Sequence, residues 1–194
     1  MAINYPLTLP TVTGVRSIEL QASNAVAISR SPFTFASQVH AYSGQMWSAS
    51  LTLPPMKLTA ARQWTAWLTS LRGQYGSFLL GDTSSSQISG TATSATVTGV
   101  AGDNTVAVTS NGTILAGDMI QIGPDSDATL HKVLADQSGN GSLEIWPALR
   151  KVRTAVSLTL TDAKGAFRLA SNEVSWSVDE ANIYGISFSA VEKI

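Results

Sequence analysis

Apolar and hydroxyl-bearing residues alternate along residues 46–53, the clearest strand pattern in the first part of the chain. The apolar residues at alternate positions are Trp47, Ala49, Leu51 and Leu53. Alternation with a period of two predicts a half-buried strand, and the Pro54-Pro55 pair ends it. The earlier segment 14–28 alternates less regularly and predicts one or two further strands.

A helical period follows this strand. Apolar residues spaced three or four positions apart are Ala61, Trp64, Leu68 and Leu71. This spacing predicts one helix at about 59–73, with Thr59 as its N-cap and Gly73 just beyond its C-terminal end. Trp67 lies beside the apolar stripe, so we expect the helix to bury a large aromatic surface.

Two alternating runs near the C-terminus predict a β-hairpin. The apolar positions are Val174, Trp176 and Val178 in the first run, and Tyr184, Ile186, Phe188 and Ala190 in the second. The polar segment 179–182 separates the runs and predicts the turn. We expect this hairpin to complete a sheet begun by residues 1–53.

The middle of the chain differs in composition and in the spacing of its apolar runs. Asp103 is the one charged residue between positions 83 and 117. Six short apolar runs follow one another, with Gly, Asn or Asp between them: 95–100, 105–109, 119–122, 130–134, 143–146 and 156–160. This spacing predicts a small all-β sandwich or barrel, and a disordered linker is the alternative for 84–96 alone.

The fold predicted from these patterns is mainly β with one prominent α-helix. Residues 1–82 and 164–194 are expected to form a β-sandwich body that carries the helix. Residues 83–163 are expected to form an inserted β-barrel or sandwich module, entered through Gly81 and left near Gly165.

Composition narrows the classes of function. The 194 residues are 44% hydrophobic but only 13% charged, against about 25% in an ordinary soluble domain. Ser and Thr together fill about 45 positions, and the net charge is -1. A surface of hydroxyls without a basic patch argues against nucleic-acid binding, and a near-zero net charge favours association.

The cysteine count and the apolar runs exclude further classes. The absence of cysteine excludes disulfides, a Cys-based zinc site and a thiol nucleophile. The first residues lack the basic and apolar regions of a signal peptide, and no apolar run reaches the ~18 residues of a membrane span. We therefore expect synthesis in a cytoplasm and no membrane insertion.

Candidate chemistry is sparse. His40 and His131 are the only histidines, no Gly-x-Ser-x-Gly motif occurs, and the context of His131 predicts a half-exposed strand residue. The segment 136–141 faintly resembles a calcium loop, but Pro147 occupies the position that requires Glu, so a β-turn is favoured. Segment 123–127 contains two carboxylates and is expected to be a proline-initiated turn.

Two other groups of residues allow alternative interpretations. Glu144 lies near Trp146, as in a sugar-binding cleft, but the segment also fits one alternating strand. Arg150, Lys151 and Arg153 form either a solvated loop or a docking patch for an acidic partner. Phosphate-binding glycine loops are absent from the sequence. We predict no enzyme activity, no cofactor, and no catalytic, cofactor-binding or metal-binding residue.

Several segments with little chemical meaning lie in the body and the module alike: 42–47, 53–56, 67–82, 117–123, 131–133, 145–150, 167–174 and 184–192. They include Tyr-Ser-Gly-Gln-Met-Trp at 42–47 and Ile-Trp-Pro-Ala-Leu-Arg at 145–150. Together these segments resemble tail proteins of long-tailed bacteriophages and prophages. The resemblance spans most of the chain and is nearest to the distal tail proteins.

This resemblance implies an architectural function. Distal tail proteins form a ring, usually a hexamer, that joins the tail tube to the baseplate hub. The implied partners are other copies of the chain, the tail tube protein, and hub and tail fibre proteins. The implied location is the virion tail tip. The alternatives are a baseplate or hub-associated minor tail protein, and a module that binds host glycan or a fibre, suggested by Trp146 and the hydroxyl-rich loops.

Overall fold

A computed structural model describes residues 3–82 and 87–194. This part of the chain contains one α-helix, one short 3-10 helix and fifteen β-strands. In chain order the elements are β1 Ser17–Arg30, β2 Ser37–Thr52, β3 Met56–Lys57, α1 Leu58–Ser70, β4 Phe78–Leu80, β5 Ala95–Gly99, β6 Thr105–Ser110, β7 Thr113–Ile114, β8 Met119–Ile122, a 3-10 turn Asp125–Asp127, β9 Thr129–Val133, β10 Gln137–Ser138, β11 Gly141–Trp146, β12 Arg153–Thr159, β13 Gly165–Leu169, β14 Trp176–Val178 and β15 Ile183–Glu192.

The body is a large antiparallel sheet in the order β1-β2-β15-β13-β4. The first half of β15 also pairs with β14 and β3, which brings the sheet to seven strands. The predicted C-terminal hairpin is confirmed, and so is its place in a sheet with the N-terminal strands. The predicted strand at 46–53 is the end of the much longer β2, and its four apolar residues are buried as the alternation requires.

Helix α1 packs its apolar stripe onto the sheet. Trp64, Leu68 and Leu71 are almost fully buried, and the ring of Trp67 lies 5.1 Å from that of Phe78. The predicted helix is confirmed, but the N-cap prediction is wrong. The helix begins at Leu58 with Lys57 as N-cap, and no side chain caps it. The short β3 leads directly into the helix, so the start is set by strand pairing with β15.

The six predicted apolar runs are six strands of a closed barrel in the order β11-β6-β5-β12-β8-β9. All neighbouring pairs in it are antiparallel. Closure decides between the two predicted architectures in favour of a barrel. The linker alternative for 84–96 falls partly on 84–86, outside the described residues, while Ala95 already belongs to β5.

The two chain crossings between body and barrel are tightly packed. A Cβ on Gly81 would lie 2.1 Å from the carbonyl oxygen of Ala163. A Cβ on Gly165 would lie 2.8 Å from Cβ of Leu130 in the barrel. Glycine is therefore required at both crossings, because a side chain would meet the outgoing segment at Gly81 and strand β9 at Gly165.

Candidate functional site

His131 is buried inside the molecule, so the prediction of a half-exposed residue is wrong. Its Nδ1 lies 2.7 Å from the Pro147 carbonyl oxygen, and its Nε2 lies 2.8 Å from the Thr129 hydroxyl. Burial lowers its pKa to about 4, and the nearby Arg150 and Arg153 guanidinium groups act in the same direction. The neutral ring donates from Nδ1 to Pro147, a structural bond that joins β9 to the loop after β11.

Two carboxylates of the barrel module, Asp118 and Asp136, accept hydrogen bonds from backbone N–H groups. Asp118 is buried and accepts the backbone N–H groups of Ser89 and Leu115 at 2.6 and 2.9 Å. Asp136, the first residue of the calcium-like segment, accepts the N–H of Ala116 at 2.7 Å. Glu144 lies exposed on β11. Within residues 3–82 and 87–194 no group of three or more His, Asp or Glu side chains is arranged to hold a metal ion.

The three cations of the basic cluster share two carboxylates of the same chain. Lys151 and Arg153 both contact the carboxylate of Asp127, at 2.6 and 2.8 Å. Burial opposes ionisation of Asp127, but the hydrogen bonds from Lys151 and Arg153 outweigh it and hold its pKa below the usual value. Arg150 pairs with Glu192 at 2.7 Å. All three cations thus have carboxylate partners inside the chain, although the Lys151 side chain is still 63% exposed.

A polar and aromatic seam joins the barrel to the body. We define the seam as Gln45, Trp47, Trp146, Arg150 and Glu192. The rings of Trp47 and Trp146 meet edge to face with centroids 4.5 Å apart. Arg150 donates to the Gln45 carbonyl oxygen at 2.6 Å as well as to Glu192.

Both seam indoles are also hydrogen-bonded to residues outside the seam. Trp47 Nε1 donates to the Leu130 carbonyl oxygen of the barrel at 2.9 Å. Trp146 Nε1 donates to the Asn24 side chain of β1 at 2.7 Å. Trp146, which suggested a sugar-binding cleft, therefore has one face against Trp47 and its N–H bonded within the chain.

Strands β1 and β2 extend beyond the body as a long hairpin. We call its outer part, residues 24–45, the arm. Pairing of β2 with β15 ends at Ser48, so beyond that level β2 pairs with β1 alone among the described residues. The register shifts between the Asn24–Gln45 pair and the Val26–Ala41 pair, which marks the bulge at the base of the arm.

One face of the arm is apolar and exposed. Val26 and Ile28 of β1 stand opposite Ala41 and Val39 of β2 on this face. Ile28 is 69% exposed and Val39 61%. The other face carries His40, whose ring meets that of Tyr42 edge to face at 4.6 Å. Nothing within the described chain covers the apolar face.

The tip of the arm, residues 31–36, presents two phenylalanines on an ordered turn. Phe33 is 91% exposed and Phe35 is 70% exposed. The turn is closed by the Ser31 N–H to Ala36 carbonyl bond at 2.9 Å, and the Ser31 hydroxyl accepts the Phe33 N–H. Phe35 holds a φ of 55°, a left-handed conformation that costs a non-glycine residue energy.

Sequence reasoning missed the arm, although it leaves a signal. From Leu20 to Trp47 the sequence contains a single charged residue, Arg30. The stretch nevertheless has exposed apolar residues at alternate positions. Natural edge strands are normally protected by charge, and a hairpin with a single charged residue lacks most of this protection.

The comparisons with known proteins add no family. No protein-family model matches the chain, and no curated protein matches it significantly. Within the described residues, no helix is both long enough and apolar enough to cross a membrane.

Proposed function

We propose that the chain is a structural, non-enzymatic protein of a phage tail tip, whose copies assemble into a ring through their arms. The observation that carries this proposal is the arm, which has an unpaired strand edge on each side. The outer edge of β1 bonds to no other strand among the described residues, and neither does the far edge of β2 from Ser37 to Gly44.

The two edges are complementary because they belong to antiparallel strands. When copies stand side by side in the same orientation, β1 of one copy runs antiparallel to β2 of the next. Each copy then offers two different edges, and a head-to-tail contact of this kind closes into a ring when the rotation between copies allows it. Strand addition of this kind uses backbone hydrogen bonds that the arm leaves unmade.

The chemistry of the arm favours this assembly. Arg30 is its one charged residue, so little desolvation of charge opposes the contact. Val26, Ile28 and Val39 would continue as an apolar stripe from copy to copy. The net charge of -1 gives little long-range repulsion between subunits.

The resemblance to distal tail proteins supplies the proposed location and partners. The ring would contain six copies and join the tail tube protein to the baseplate hub and tail fibre proteins. The alternative function is that of a baseplate or hub-associated minor tail protein, which would assemble through the same arm. A module that binds host glycan or a fibre is the other alternative, and it rests on the hydroxyl-rich loops, since Trp146 is engaged in the seam.

The test is the oligomeric state of the full chain. Native mass spectrometry should find a closed oligomer, six copies in the distal-tail interpretation, in concentration-dependent equilibrium with monomer. Ile28→Lys places a charge on the apolar face and should raise the midpoint concentration of assembly by about tenfold or more. Val152→Lys is the matched control, since Val152 is 65% exposed and lies outside the arm, in the loop before β12.

Two results would contradict the proposal. One is a chain that stays monomeric at every concentration and is absent from purified virions. The other is an oligomer that Ile28→Lys and Val152→Lys affect equally, because the arm would then have no part in it. Gold labelling of the protein in virions distinguishes the two locations in the tail. Label at the junction of the tail tube and the hub supports the distal tail position.

A further inference from the structure

We propose that the barrel sets the register of strand addition, because Arg150 and Glu192 cap the edge of β2 at the base of the arm. A second copy of this chain would then pair its β1 edge with Ser37–Gly44 and be stopped at Gln45. The inference rests on the proposed ring, and it assigns the seam a role in assembly beyond holding the barrel.

The cap begins where the sheet ladder ends. The last pair between β15 and β2 is Val191 with Ser48. The next outward backbone groups of β2 are bonded to side chains instead of a strand. The N–H of Trp47 donates to Glu192 Oε2 at 3.1 Å, and the carbonyl oxygen of Gln45 accepts Arg150 Nη2 at 2.6 Å.

The two capping side chains are fixed by each other. Arg150 Nε and Nη2 donate to the two oxygens of Glu192 at 3.1 and 2.7 Å. The Glu192 side chain is only 2% exposed and that of Arg150 13%. A buried pair of this kind holds its geometry because removal of either partner leaves an uncompensated charge.

The loop after β11 adds bulk to the cap. The backbone N–H of Ala148 donates to Gln45 Oε1 at 2.6 Å. The chain from Ala148 to Arg150 therefore lies against β2 at the level where a neighbouring strand would have to continue. Beyond it, toward the tip, none of the described residues bonds to the outward groups of Ser37–Gly44.

A stop at this level matters because the arm alone specifies register weakly. Side chains alternate with a period of two, so a slip of two residues keeps the apolar residues on the same face. With the stop in place, the favoured register repeats the pairing within one arm, so that Ile28 of one copy lies opposite Val39 of the next and Val26 lies opposite Ala41. The β1 strand of the neighbour then leaves this edge at its own bulge, between Asn24 and Val26. Without the stop, a neighbour can slide toward the body, which brings Arg30 opposite Val39.

Cysteine crosslinking can read this register, because the chain has no native cysteine. Protein carrying Val39→Cys is mixed with protein carrying Val26→Cys, Ile28→Cys or Arg30→Cys, and each mixture is oxidised. Only neighbouring copies can give the mixed disulfide, since each chain has one thiol, and opposed Cβ atoms must approach closely to form it. We expect the Ile28→Cys mixture to give the dominant product.

The cap is then removed in the same background. The double change Arg150→Met with Glu192→Leu deletes both capping groups, keeps similar volume and leaves no lone buried charge. The yield of mixed disulfide with Arg30→Cys, relative to that with Ile28→Cys, should rise by about tenfold. This is the size of effect expected when charge-assisted hydrogen bonds that hold the stop are lost. If this variant does not fold, Glu192→Gln, which breaks the ion pair but keeps an acceptor for Trp47, should raise the ratio less.

The outcomes separate the two proposals. Absence of mixed disulfide in all mixtures, together with a monomeric parent, overturns both the ring and the stop. A ring whose dominant crosslink is not at Ile28, or whose crosslink ratio is unchanged in a folded uncapped variant, overturns the stop and leaves the ring standing. The stop is supported if the ratio of the Arg30→Cys product to the Ile28→Cys product changes only in the uncapped variants.

Discussion

At the scale of single residues, His131 shows how burial can decide the protonation of a side chain. Its imidazole is enclosed, bonded at both nitrogens, and near the guanidinium groups of Arg150 and Arg153. The folded chain binds a proton on this ring only near pH 4, whereas the unfolded chain does so near the ordinary value of 6.5. Between these values the unfolded state holds more protons.

The stability of the fold should therefore fall as the pH falls from about 6.5 to about 4. The difference between the two pKa values corresponds to about 3 kcal/mol of unfolding free energy, lost across that window. Urea unfolding at pH 7.5 and 4.5 measures it. His131→Asn should be less stable than the parent at pH 7.5 but show a shallower dependence on pH.

His40→Asn serves as the control for this measurement, because it removes an exposed imidazole of the arm. It should keep the steep pH dependence of the parent chain. A parent-like slope in His131→Asn would show instead that carboxylates account for the acid sensitivity.

Two side chains that sequence reasoning misjudged each have a partner that is distant in the chain. His131 bonds to Pro147, and Arg150 bonds to Glu192, forty-two positions away. Such contacts exist only after the barrel has closed and docked on the body. The local pattern of apolar and polar residues predicts the strand on which a residue lies. It does not predict which hydrogen-bond partners a distant segment places beside that residue.

At the scale of elements, prediction succeeded where one face of a strand or helix is buried by the chain itself. Buried and exposed residues alternate along the end of β2 and along helix α1, so the sequence shows the period of each element. The outer part of the hairpin has no face buried within the chain. Its pattern was therefore weak, and the arm was not foreseen although the strand itself was.

Helix α1 allows a direct test of the burial that holds it. Leu68 is 1% exposed within the body core, whereas Leu58 starts the same helix and is 41% exposed. Leu68→Ala should lower the unfolding free energy by about 2–5 kcal/mol, because it leaves a cavity against the sheet. Leu58→Ala is the matched control and should cost less than about 1 kcal/mol.

Equilibrium urea denaturation followed by tryptophan fluorescence measures both variants. Equal losses in the two would mean that α1 is stabilised by its own helical propensity more than by packing. We expect the packing term to dominate, because isolated helices of this length are marginal in water.

At the scale of the whole molecule, the body and the barrel share more than a linker. Each has its own apolar core, but Met119 and Leu130 of the barrel strands belong to the core of the body. The seam adds the Trp47–Trp146 contact and the Arg150–Glu192 pair. A barrel held this rigidly can act as a fixed stop beside the arm, which a loosely tethered one could not.

This coupling predicts that body and barrel unfold together. Scanning calorimetry of the parent should give one transition whose calorimetric and van't Hoff enthalpies agree. Trp146→Ala removes the edge-to-face contact and the bond to Asn24, at a cost of about 3 kcal/mol or more. We expect it to separate the transition into two, since each part retains its own core.

Trp176→Ala is the matched control for this separation, because Trp176 lies on β14 and is 45% exposed. It should leave a single transition near the parental temperature. A single cooperative transition in Trp146→Ala as well would mean that Met119 and Leu130 alone couple the two parts. In the proposed ring, the shared core would then hold the Arg150–Glu192 cap beside the arm without help from the indole pair.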